Sequence, residues 1–233
     1  MGITDMTDAY IKFAFIAICF FIALGSYKFC HNKRSWVLLV VAMGFTVMSD
    51  FFLVILQSYY IGVLTFCFVH VAYIIRVSKK DVKDVIRFDK SMVFLFLAGF
   101  VSYFALSFIV PRLVVIGAVY AILFGVNIFL HVRYYRSYGS QDAEGQDAAG
   151  QDAGINRRIM LLGLILFALC DINVMLFNLP ILILPELMGG PLPMDSPLFA
   201  VSALASTLIW VFYLPSQLLL SLSSIRFRNR LAG

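Results

Sequence analysis

Two carboxylates stand deep inside otherwise apolar runs: Asp50, within VMSDFF, and Asp171, within ALCDIN. A charge in hydrocarbon is costly, so such residues are functional candidates by default. No Lys or Arg lies at similar depth to neutralise them. A carboxyl pair in an apolar setting suits acid–base chemistry in which one group is protonated and the other ionised. His70 is the one histidine well inside a run, and Tyr73 shares its helical face at i+3. Tyr213 and Gln217 are spaced i, i+4 around Pro215, which is expected to kink a helix. Asn127 and Asn173 are further amides at membrane depth, and Ser49 directly precedes Asp50. Each has a structural alternative, because intramembrane His, Asn and Gln also bridge helices by hydrogen bonds without doing chemistry. For the aspartates that alternative is a buried hydrogen-bond anchor. The candidate catalytic residues are Asp50, Asp171 and His70. Ser49, Tyr73, Asn173, Tyr213 and Gln217 are the candidate supporting or substrate-binding residues.

Other reaction classes find no motif. There is no GxSxG nucleophile elbow, HExxH zinc helix or GxGxxG phosphate loop. Ser49 has no histidine near it in sequence. Asp50, Asp171 and His70 are too scattered to form a recognisable metal motif, so no metal and no cofactor is expected. Cys19, Cys30, Cys67 and Cys170 form no CxxC pair and no Cys/His cluster, which argues against a disulfide framework.

The elements that must position these residues follow from composition. Of the 233 residues 62% are hydrophobic and only 13% charged. A soluble domain carries about 25% charged residues, so a water-soluble globule is excluded. The apolar runs are continuous rather than alternating, which argues against a barrel. A helix needs about 20 mostly apolar residues to cross the hydrocarbon. Seven runs qualify: Tyr10–Phe29, Trp36–Leu56, Tyr60–Val77, Met92–Ile109, Leu113–Val132, Ile159–Leu179 and Leu198–Ile225. The expected fold is therefore all-α: a polytopic membrane bundle of seven transmembrane helices forming one domain, residues 1–233. The joints Gln57-Ser58-Tyr59 and Val110-Pro111-Arg112 are tight. No separate cleavable signal is expected, because the first run is itself long enough to span.

The net charge of +5 raises nucleic acid as a partner, but the placement of the basic residues says otherwise. Every Lys and Arg except Lys12 and Arg112 falls in the odd-numbered loops or the C-terminal tail. By the positive-inside rule this puts the N-terminus outside and the C-terminus in the cytoplasm. The expected partner is the bilayer, in a cell membrane, the bacterial inner membrane by the compact size. On this count Asp50 lies about 24 Å along a helix from Arg34, and Asp171 about 20 Å from Arg158. Both reach the outer half of the membrane at similar depth. Their contexts are alike, Met48-Ser49-Asp50 and Leu169-Cys170-Asp171, with Gly44 and Gly163 upstream, as an old parallel duplication would leave them.

Two loops stand apart. Gln141–Gly154 reads QDAEG-QDAAG-QDAG, a tandem repeat too polar to bury a core. Residues 139–155 are expected to be a low-complexity cytoplasmic loop insertion. Pro180–Pro197, with five prolines and Gly189-Gly190, lies between the last two runs on the outer side. Its stretch Ile181–Leu184 is apolar enough to dip into the interface.

These motifs resemble the YhhN-like lysoplasmalogenase family of multi-pass membrane proteins. The first matching block is Gly44 to Asp50 (GFTVMSD), then Gly62, then Phe66 to Tyr73 (FCFVHVAY). The second is Gly163 to Asp171 (GLILFALCD), and the third Tyr213 to Leu219 (YLPSQLL). The family usually has eight spans and an early lysine-proline. Here the first family helix is missing and only Lys12 stands near that place. The resemblance implies hydrolysis of the vinyl ether bond of a lysophospholipid substrate, the lysoplasmalogens. Vinyl ethers open through acid, so Asp50 and Asp171 would supply a protonated and an ionised carboxyl, and His70 and Tyr73 would orient them. A proton-coupled transporter is the alternative that two carboxylates and a histidine also suit. A seven-helix receptor shares only helix number and orientation. Oligomeric state is not legible in the sequence.

Overall fold

In a computed structural model the described residues are 3–30, 32–77, 112–139, 148–193 and 195–225, and every named element among them is helical. Helix α1 (Ile3–Gly25) ends in one 3₁₀ turn, Ser26–Phe29. Helix α2 (Lys33–Asp50) starts under an Asn32 cap, whose side chain accepts from the Ser35 amide at 3.2 Å. It continues through a π-helical turn, Phe51–Ile55. Helices α3 (Tyr59–Val77), α4 (Arg112–Gly139) and α5 (Ala148–Asn178) follow, the last running into a second π-helical turn at Leu179–Ile183. A short helix α6 (Leu184–Met188) and the long helix α7 (Pro197–Leu222) are the last helices among the described residues. Ser196 caps α7, with proline at its first position.

Six of these stretches are long and apolar enough to cross a membrane: Ala9–Phe29, Lys33–Ile55, Tyr59–Val77, Val114–Arg136, Gly154–Ile183 and Pro197–Leu222. Each overlaps one expected run. The remaining run, Met92–Ile109, lies outside the described residues. Outward faces stay apolar, with Ile11, Phe21, Ile122, Phe129 and Leu204 all more than half exposed. In water such a surface would be untenable, and in hydrocarbon it is the expected coat. The protein is membrane-embedded.

Two expectations are revised by the helix ends. From Ala148 the polar repeat is already helical, forming the first turns of α5, while 141–147 lies outside the described residues. The segment after Asn178 does not leave the bundle at once. It prolongs α5 by a π turn and then by α6, which Gly189 ends in the left-handed conformation at φ 72°. The reversal after α2 is as tight as expected. Ser58 N–H reaches back to the Phe52 carbonyl at 2.7 Å, and Gln57 takes a positive φ of 53°.

Small residues and short polar contacts bring the helices together. The Trp36 indole donates to the Ala23 carbonyl at 2.9 Å, joining α1 to α2. The Ser49 hydroxyl donates to the Gly62 carbonyl, joining α2 to α3. Helices α5 and α7 are antiparallel along most of their length. Ser202 donates to the Phe177 carbonyl at 2.8 Å near one end. Near the other, Gly163 faces Leu220 so closely that a Cβ there would stand 3.0 Å from its side chain. Without a hydrophobic force between helices in lipid, close backbone approach of this kind carries the packing.

Candidate active site

The two aspartates enter the bundle on α2 and α5, and each meets a tyrosine from another helix. Tyr213 on α7 donates to Asp50 Oδ2 at 2.5 Å. Tyr120 on α4 donates to Asp171 Oδ2 at 2.6 Å. Four helices thus contribute one residue each to two Asp–Tyr pairs. Asp50 is 4% exposed and Asp171 part-buried. The two pairs are joined through rings: Phe66 lies against Tyr120 at 6.2 Å between centroids and against Phe167, which in turn lies against Tyr213.

An aromatic cluster closes the space between them. Phe167, one turn before Asp171, packs on Tyr213 (5.7 Å between centroids), Phe66 (5.6 Å), Phe124 (5.4 Å) and His70 (5.8 Å). The His70 ring stacks on Phe124 at 4.5 Å and tilts against Tyr120 at 4.9 Å. From the same helix, α4, the Asn127 amide donates to His70 Nδ1 at 3.2 Å. That bond leaves Nε2 carrying the proton in the neutral ring. His70 is fully buried and reaches the site through Tyr120, not by a direct bond to a carboxyl.

Depth can be read from Arg76 at the far end of α3. Its guanidinium donates to Ser35 Oγ on α2 (2.9 Å), to Met160 Sδ on α5 (3.3 Å), and to Ser223 Oγ and O just after α7 (2.8 and 2.9 Å). Four helices are thereby pinned at one level. Counted from that level at 1.5 Å per residue, Asp50 lies about 22 Å along α2 and Asp171 about 16 Å along α5. The two aspartates stand about one helical turn apart in depth, on the same side of the Arg76 level, and at depths similar to those read from the sequence.

The other candidates are placed differently. The Tyr73 hydroxyl donates to Met43 Sδ at 3.7 Å, two turns from Asp50, and makes no bond to a carboxyl. Ser49 is committed to the α2–α3 contact at Gly62. Asn173 folds back on its own helix, donating to the Leu169 carbonyl at 2.7 Å. Gln217 is fully buried one turn from Tyr213, and its amide makes only a 3.4 Å contact with the adjacent Ser216. Of the supporting residues named from sequence, Tyr213 alone touches a carboxyl among the described residues.

Three residues with roles here were not singled out from sequence. Tyr120 was one aromatic among many, though its spacing of seven from Asn127 puts the two on one face of α4. Arg76 reads as an ordinary flanking cation. His131 lies at the edge of an apolar run, yet it is buried, its Nδ1–H donating to the Asn127 carbonyl at 2.9 Å. No group of three His, Cys, Asp or Glu residues able to hold a metal occurs among the described residues. No family model, curated protein or solved structure matches the chain.

Proposed function

We propose that the protein is a membrane-embedded hydrolase that cleaves the vinyl ether of lysoplasmalogens, as the resemblance to the YhhN-like family implies. The reading includes seven spans, the N-terminus outside and the basic end of the bundle, marked by Arg76, in the cytoplasm of a bacterial cell. The observation that carries it is the convergence of Asp50 and Asp171 in one aromatic layer, each capped by a tyrosine hydroxyl.

Base does not open a vinyl ether. One carboxyl transfers its proton to the β-carbon, and the ether oxygen stabilises the resulting oxocarbenium ion. The second carboxylate faces that cation. Water adds through its oxygen to the α-carbon, returning a proton to the first carboxylate. The hemiacetal then breaks its bond to the glycerol oxygen, which takes up the hydroxyl proton. A fatty aldehyde and a glycerophospho-alcohol leave, and the enzyme is restored. Apolar rings around the pair suit this chemistry, since a low-dielectric site strengthens each electrostatic contact with the developing charge. A single-chain lipid reaches such a layer sideways from the bilayer, its headgroup at the outer interface.

The deciding measurement is aldehyde release from a lysoplasmalogen by purified protein, with Asp50→Asn and Asp171→Asn compared at equal folded amounts. Each variant is expected to lose turnover. Full activity in either overturns the assignment. A second reading, proton-coupled transport, draws on the π-helical turns that follow Asp50 closely and end α5, because interrupted helices beside carboxylates are a transporter trait. Uptake into liposomes driven by a pH gradient, with no aldehyde formed, would favour it.

A further inference from the structure

Beneath the carboxyl layer lies a second polar layer that the proposed reaction does not use. At 1.5 Å per residue from the Arg76 level, His70 stands about 9 Å along α3 and Gln217 about 9 Å along α7. Asn127 is bonded to His70. All three side chains are fully buried. Yet His70 Nε2, Asn127 Oδ1 and Gln217 Oε1 have no hydrogen-bond partner. Buried polar atoms are almost always satisfied, and in hydrocarbon the demand is stricter. Two further open atoms, Asn156 Oδ1 and Ser224 Oγ, belong to residues close to Met160 and Ser223, at the Arg76 end. Open polar atoms therefore step from that end of the bundle towards the aspartates.

The chemistry of the open atoms selects the ligand. With Nδ1 accepting from Asn127, His70 Nε2–H is a donor, whereas Asn127 Oδ1 and Gln217 Oε1 are acceptors. A metal ion would suit the two oxygens and be repelled by the N–H. An anion would suit the N–H alone. An ammonium group has no lone pair for it. Water offers two donors and an acceptor, and two to four polar partners are what a buried water requires. We propose that His70, Asn127 and Gln217 hold internal water beneath the carboxyl pair, admitted from the Arg76 end. This water is the one consumed in the hydrolysis, a role that rests on the hydrolase reading; the site itself does not. Lipid and water then reach the aspartates from different sides.

The test uses the full chain in nanodiscs with ¹⁵N-histidine labelling, which gives only three imidazoles to assign. The His70 ring is expected as the Nε2–H tautomer, with a cross peak from that proton to water. Gln217→Leu, at a melting temperature close to the parent's, should weaken the cross peak several-fold. It should also lower kcat for lysoplasmalogen about tenfold with KM unchanged. An Nδ1–H tautomer, or no water cross peak in the parent protein, overturns the site without needing any variant to fold. Loss of the cross peak in Gln217→Leu with kcat unchanged overturns the supply role. A parent protein that shows the cross peak and releases no aldehyde supports the site and overturns the hydrolase reading alone.

Discussion

Removing the Tyr213 hydroxyl tests the catalytic assignment with the least disturbance. Tyr213→Phe keeps the ring, its contacts with Phe167 and Trp210, and the volume of the core. It deletes only the donor 2.5 Å from Asp50 Oδ2. Tyr120→Phe does the same to Asp171, whose bond is 2.6 Å. The two lengths are too similar to rank the bonds, so charge decides. A hydrogen bond to an ionised group contributes about 1.5–3 kcal/mol, one between neutral groups about 0.5–1.5. Only a bond that strengthens on the way to the transition state lowers kcat when it is lost. A bond whose carboxyl ionises during the reaction gains about 1–1.5 kcal/mol, which corresponds to about 5- to 10-fold in kcat, and a bond whose carboxyl keeps its charge gains almost nothing. The tyrosine whose loss lowers kcat more therefore marks the carboxyl that becomes ionised as it gives up its proton, the general acid, and the other aspartate is the one ionised throughout. Interhelical hydrogen bonds in membranes contribute only about 0.6 kcal/mol to folding on average, so melting temperatures should fall little. The assay is aldehyde release under saturating lysoplasmalogen, beside thermal unfolding of each variant. If both variants keep more than half of the parental kcat, the hydroxyls do not act on reacting carboxyls and the reasoning fails.

Other outcomes follow from packing. Gly163→Ala should lower the melting temperature, because its methyl would meet Leu220 at 3.0 Å, whereas Gly125→Ala, with nothing within 4 Å, should hold or raise it. In Gly62→Ala the new methyl would lie 2.4 Å from Leu53, so Leu53 must shift within the π turn after Asp50; a loss of about 1–3 kcal/mol in stability and a fall in turnover are expected. Arg76→Ala removes donors to three other helical segments and should show as a clear drop in thermal stability, with Arg76→Lys recovering only part because an ammonium cannot span the same fork. Ser49→Ala should leave turnover within a few-fold of the parent, since that hydroxyl joins helices rather than attacking substrate; loss of all activity at unchanged stability would contradict this.

The class of this protein was legible before any coordinates. Continuous apolar runs of about 20 residues have one physical outcome, since an unbonded backbone is not tolerated in hydrocarbon. Asp50 and Asp171 stood out for a related reason, because a carboxylate in such a run is expensive enough to need a purpose. Their depths could be read as well, to within about one helical turn of each other, since the rise per residue of a helix is constant. Local chemistry also marked the tight joint at Gln57-Ser58-Tyr59, where Gln57 takes a positive φ.

What the tertiary structure decided was direction around each helix axis. Tyr73 and Tyr120 are both tyrosines in apolar helices, yet one points to Met43 and the other to Asp171. Hydropathy does not separate them, because these helices are apolar on nearly every side and no polar face orients them. Azimuth is set instead by where backbones approach most closely, as at Gly163 against Leu220 and Ser49 against Gly62. Such contacts join residues far apart in the chain. Sequence therefore determined which groups lie at membrane depth, and packing alone determined that Tyr213 meets Asp50 and that Asn127 holds His70.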